Sequence, residues 1–205
     1  AAAVVLGAEA ANQRAVAATR LDDMSIGVAD PLPLPFSHTR LGATLDSCAQ
    51  ARRPGFARFF GAAQIQATQR HCADFANRAE RFWPANGQIG LMRATQAASA
   101  GDVTRFQAEL ARAQRHVPFQ GWQAMRRVDL TLDFSAATQS MPGDLSPGLA
   151  RDLALMLTIQ PGAEALVDHY HDAPTARPAI AQALENASQS DQRRFFNLIR
   201  LRGHE

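Results

Sequence analysis

Residues 84–134 read PANGQIGLMRATQAASAGDVTRFQAELARAQRHVPFQGWQAMRRVDLTLDF, and their spacing decides the fold class. Val103, Phe106, Leu110, Ala113 and Val117 recur at intervals of three and four, the repeat of a helix that buries one face. Gly101-Asp102 supplies a break followed by a residue suited to an N-cap. Pro118 closes the run, because its ring fixes φ and disfavours helix at the residue before it. Upstream, Ile89, Leu91 and Met92 with the small Ala94, Ala97 and Ala98 predict a second helix of about four turns. Downstream, Phe119, Trp122, Met125, Val128 and Leu132 predict a third, with this apolar seam turned inward. Connections this short imply antiparallel neighbours.

The rest of the chain follows the same period. Residues 2–20 read as an Ala-rich helix, which defines an N-terminal segment over 1–24. A Pro-rich stretch, DPLPLPF at 30–36, lacks amide donors and favours an extended conformation, so 25–38 reads as a stiff connector. Residues 39–205 then form the helical domain. Helices are expected over 41–52 and 56–82, followed by the three described above and a polar break at 135–143. Ser146-Pro147 opens the next helix, with Leu149, Leu153, Met156 and Leu157 inward. Pro161-Gly162, Pro174 and Pro178 punctuate two further short helices, and Ser190-Asp191 is expected to cap the last. No sustained period-two run appears. The fold class is all-α, with about nine or ten helices packed as antiparallel hairpins.

Pro84 and Pro118 lie 34 residues apart, and between them stand a small Ala94, the Gly101-Asp102 turn, Leu110 and Ala113. Over 85–118 the chain thus resembles a tetratricopeptide repeat. That resemblance implies stacked helical hairpins that present a groove to a protein partner. Gly90 and Arg93 depart from the pattern, standing where the family prefers large apolar residues. Phe106 departs too, where the family prefers a small one, and the windows on either side match less well.

Composition narrows the function classes. Of the 205 residues, 21 are basic and all of these are Arg, set against 19 acidic ones, for a net charge of +2 and a pI near 9.0. The basic residues are interspersed with acidic ones in runs no longer than two. Nucleic-acid binding, which relies on a concentrated basic face, is not expected. The chain begins at Ala1 with an apolar AAAVVLGA too short to span a bilayer, which fits the remnant of a removed signal or anchor. Cys48 and Cys72 make an even pair, each in a helical segment, and adjacent antiparallel helices would let them form a disulfide. Two buried free thiols are the alternative. The disulfide reading implies an oxidising compartment, a bacterial periplasm or cell surface.

Candidate chemistry is sparse. Asp168-His169-Tyr170-His171-Asp172 is the densest cluster of metal-ligand types, and the His169–Asp172 and Asp168–Asp172 spacings share a helix face whereas the two histidines point to different faces. A polar helix end, where the backbone dipole favours His near the C-terminus, accounts for the cluster, so no metal is assigned. His71 beside Cys72 diverges from it around a helix and is poorly placed as a base. Six Glu, no phosphate loop and no nucleophile elbow leave no catalytic residues and no cofactor to name. Arg126 and Arg127 beside Trp122 are different, because Trp and Arg are the types most enriched at interface hot spots. These three residues are the expected partner-binding site. The expected function is a non-enzymatic helical scaffold that binds a protein partner in the bacterial envelope. The alternative is a dedicated accessory subunit docked on a membrane complex through residues 1–20.

Overall fold

The structure is a computed structural model that describes residues 34, 38–50, 61–138 and 147–202. The described residues are helical with no strand, in agreement with the all-α class. The nine α-helices among them are α1 (His38–Gln50), α2 (Ala62–Glu80), α3 (Gly87–Ser99), α4 (Val103–His116), α5 (Gly121–Thr138), α6 (Pro147–Thr158), α7 (Gln160–Asp172), α8 (Arg177–Glu185) and α9 (Gln189–Arg202). A single 3-10 turn, Pro174–Ala176, links α7 to α8. The expected helix at 2–20 and nearly all of the connector at 25–38 lie outside the described residues. The described residues fall into two units, divided within α4 after Glu109.

Helix ends follow local chemistry. The Asn86 carboxamide oxygen accepts from the amides of Gln88 and Ile89 and starts α3. After α3 the chain turns at Gly101, whose φ of 69° suits a residue without Cβ. Asp102 then accepts from the Arg105 amide and opens α4, the cap role expected of it. The cap of α9 differs from expectation. Ser188, not Ser190, accepts the Asp191 amide, and its hydroxyl donates to the Asp191 carboxylate.

In the first unit α1, α2 and α3 pack on one another around Leu41, Leu45, Phe75, Ala76, Ile89 and Met92. Cys48 of α1 and Cys72 of α2 stand at disulfide distance in that core, with Cα atoms 5.8 Å apart. Arg93, anomalous as a core position, pairs with Glu80 of α2 and, at 2.8 Å, with Glu109 of α4. The charge is tolerated there because two carboxylates flank it. Val103, expected on the buried stripe of α4, is 47% exposed, whereas Phe106 is fully buried.

The second unit is built on α5, α6 and α7, which α8 and α9 cover. Val128, Leu132, Leu153, Met156, Leu166, Ile180 and Phe195 fill its core. The first residues of the polar break expected at 135–143 are helical instead, since α5 continues to Thr138 with Ser135 buried, and 139–143 lie outside the described residues. The junction of α6 and α7 is the single residue Ile159. Gly162 permits it, because a Cβ there would meet the Met156 carbonyl oxygen at 2.5 Å.

Candidate partner-binding surface

The start of α5 has two faces with opposite fates. Residues 124, 127, 128, 131, 132 and 135 are buried, which leaves Trp122, Arg126, Asp129 and Asp133 on the opposite stripe at helical spacing. Trp122 is 44% exposed and the Arg126 guanidinium carbon stands 5.3 Å from its ring centroid. Phe119, in the turn just before α5, is 76% exposed, and Arg151 of α6 lies over its ring at 5.9 Å. Both distances fall within the range of cation–π attraction. The result is a surface patch of two aromatics, each with a guanidinium against its face. Stacking of this kind reduces the mobility of a long arginine side chain before any partner arrives, which lowers the entropy lost on binding.

The apolar seam expected to run inward from Phe119 through Trp122 therefore starts later, at Met125 and Val128. Arg127 requires the opposite correction. It was expected on the contact surface, yet it is 1% exposed and its guanidinium faces the interior. Its Nε and Nη2 donate to the two carboxylate oxygens of Asp152, both at 2.7 Å, and Nη1 donates to the Val117 carbonyl at 3.3 Å. Gln114 donates to the same carboxylate at 2.8 Å. A fully paired, bidentate fork of this kind is the setting in which a guanidinium can leave water. Of the three expected partner-binding residues, the structure brings Trp122 and Arg126 together at the surface and commits Arg127 to the fold.

Phe119 and Arg151 were not singled out in the sequence as contact residues. Phe119 follows Pro118 and precedes the first helical residue, so it belongs to no buried helix stripe, and that position was the available signal. Arg151 carries no local signal. It meets Phe119 only because α6 packs beside α5.

The cluster at 168–172 is dispersed. Asp168 pairs with Arg202 of α9, Tyr170 meets the Phe195 ring of α9 edge-on, His171 and Asp172 are exposed, and His169 turns toward α5. Its Nε2 lies 3.0 Å from Asp129 of α5. Burial acts to lower the His169 pKa, but the hydrogen bond and charge of Asp129, with the charges of Asp133 and Asp172, outweigh it. The imidazolium is held above its ordinary 6.5. Asp133 is raised above 3.8, by burial first, with His169 opposing and Asp129 adding to the rise. No group of three or more His, Cys, Asp or Glu among the described residues is arranged to hold a metal. Cys72 is joined to Cys48, so His71 has no thiol beside it to activate.

Two open grooves, each of about 340 Å³, occur among the described residues. One, in the first unit, is bordered by Cys48, Cys72, Met92, Gln69 and Gln96. The other, in the second unit, is bordered by Tyr170, Leu184, Phe195, Phe196 and Ile199. Neither gathers a set of titratable groups. No helix among the described residues is long and apolar enough to cross a membrane. No protein-family model, curated protein or solved structure matches the chain.

Proposed function

We propose that this chain is a non-enzymatic helical interaction module that binds a protein partner through the aromatic–arginine patch of Phe119, Trp122, Arg126 and Arg151. The observation that carries the reading is the half-exposed indole with a guanidinium on its face. Trp and Arg are among the residue types most enriched at the energetic centre of an interface, and here a large aromatic is left at the surface with an Arg stacked on it. A hairpin of the tetratricopeptide kind over 85–118 belongs to the same reading, supported by the buried Ala94 and the left-handed turn at Gly101. The compartment is an oxidising one, a bacterial periplasm or cell surface, and the Cys48–Cys72 pair at bonding distance supports it.

The test starts from the native chain purified with whatever co-migrates in stoichiometric amount. Trp122→Ala is expected to weaken that partner's binding by more than it lowers the unfolding free energy. A variant that unfolds more easily yet keeps full affinity would reduce Trp122 to a packing residue and remove the patch as a site.

A further inference from the structure

We propose that a second copy of this chain covers the cleft between α8 and α9, in a two-fold contact that uses the same face of both copies. Helices α8 and α9 each pack on α6 and α7 and hardly on one another, which leaves between them the open cleft of about 340 Å³. Tyr170 of α7, Leu184 of α8 and Phe195 and Ile199 of α9 give it an apolar lining. Phe196 borders it as well and is 52% exposed. Apolar surface of this extent gains free energy when a second surface removes it from water.

Charge selects the occupant. The α8 side presents the exposed carboxylate of Glu185 to the cleft. The other charge of α8, Arg177, is committed to α7, where it donates to the Tyr170 and His171 carbonyls. The α9 side presents Arg193 and Arg200, both exposed, at i−3 and i+4 from Phe196 and therefore beside it. Among the described residues Glu185 and Arg200 have no ion-pair partner, and Arg193 is held by Gln189 at 3.4 Å. The remaining charges of α9 are paired, Asp191 with Arg194 and Arg202 with Asp168 of α7, and the exposed acids of α7 are Glu164 and Asp172. The face thus carries both signs, acid on one wall of the cleft and base on the other. A partner of one sign, such as an anionic membrane, matches one wall and is repelled by the other. The same face turned over matches both. A two-fold axis along the cleft sets α8 of one copy against α9 of the other, so that acid meets base twice. The register agrees with this. The Gln192 carboxamide donates to the Leu184 carbonyl at 2.9 Å, which puts the last turn of α8 level with Arg193. Such an axis preserves that level, and Glu185 of each copy falls against Arg193 of the other while each Phe196 ring covers the opposite cleft.

Sedimentation velocity of the full chain over a range of concentrations tests this, and the expected result is a reversible dimer. Phe196→Asp falls on an exposed ring, and circular dichroism checks that the variant is folded. It should raise the dimer dissociation constant about tenfold for each ring, hence about a hundredfold in all. Glu185→Arg and Arg193→Glu should each weaken self-association, because either one sets like charges face to face twice. An equimolar mixture of these two variants should regain the dimer, since acid and base then meet again at both places. A parent that stays monomeric throughout, or a dimer that Phe196→Asp leaves unchanged, would overturn the contact. A dimer that needs Phe196 but is not restored in the mixture would overturn the two-fold pairing of the walls. A monomeric parent that sediments with vesicles containing phosphatidylglycerol, and ceases to do so as Phe196→Asp, would make a membrane the occupant and refute the inference.

Discussion

Replacing Arg127 by Met leaves the Asp152 carboxylate buried without its principal partner. Both side chains are 1% exposed, so water cannot take over, and the two 2.7 Å contacts are lost together. Breaking one side of a buried pair typically costs about 3–5 kcal/mol, and Asp152→Leu should cost a similar amount from the other side. The double variant Arg127→Met/Asp152→Leu removes both charges and their desolvation. What remains lost is the Gln114 hydrogen bond to Asp152 and the Arg127 hydrogen bond to Val117, each worth roughly 0.5–1.5 kcal/mol. The double variant is therefore expected to be only about 1–3 kcal/mol less stable than the parent. The two single losses added together come to far more, roughly 6–10 kcal/mol, so the coupling is at least about 3 kcal/mol. Urea unfolding followed by far-ultraviolet circular dichroism measures all four corners of the cycle. Additive losses would refute the reasoning, as would a single substitution that costs less than about 1 kcal/mol, which is the range of a solvated pair.

Trp122→Ala, at a side chain already 44% exposed, should cost the fold about 1–2 kcal/mol, below the ~3–5 of a fully buried aromatic. Its cost in partner affinity should be about 2 kcal/mol or more by titration calorimetry. Cys48→Ser/Cys72→Ser opens a loop of 24 residues and should lower the unfolding free energy by about 3 kcal/mol. In the parent, intact mass should rise by two hydrogens on reduction, and neither cysteine should be alkylated before it. The raised pKa of His169 stabilises the fold fully below the unfolded value of 6.5 and loses that contribution as pH rises through the higher folded value. Asp133, also raised, has the same sign in the acid range, since its stabilisation is complete below 3.8 and fades as pH rises through its folded value. Unfolding measured from pH 6 to 9 should thus show a falling limb that His169→Gln or Asp129→Asn removes, and a limb unchanged in either variant would show that the contact carries no linkage.

The helices were legible because their signal is local. Phe106, Val128, Leu132, Leu153 and Leu166 sit at helical spacing and are fully buried, and the even cysteine pair pointed to its bond. The errors share one cause. Periodicity says which residues share a face, and it extends a seam past the point where a neighbouring element is present to cover it. Phe119 and Trp122 continue the stripe of Val128 and Leu132 in sequence, but they stand exposed. Arg127 was read as a contact residue for the complementary reason. Its burial depends on Asp152, 25 residues on, and nothing between them in sequence announces the pair. The His169–Asp129 contact spans 40 residues and was equally unreadable.

The buried pair and the exposed patch are linked by adjacency. Successive residues on a helix point about 100° apart, so on α5 an inward Arg127 sets the direction of Arg126, and on α6 an inward Asp152 sets that of Arg151. The bidentate fork holds only over a narrow range of rotation of either helix about its axis. It therefore fixes which way the outward neighbours face, and these are the two guanidinium groups that meet Trp122 and Phe119. In the Arg127→Met/Asp152→Leu chain that constraint is gone and rotation is held by apolar packing alone, which tolerates small shifts that a fork does not. Partner affinity should then fall although the fold is largely retained, by an amount that Arg126→Gln/Arg151→Gln in the same background no longer adds to. Full affinity in the charge-free background would show instead that Val128, Leu132 and Leu153 set the rotation, and that the ion pair contributes only to stability.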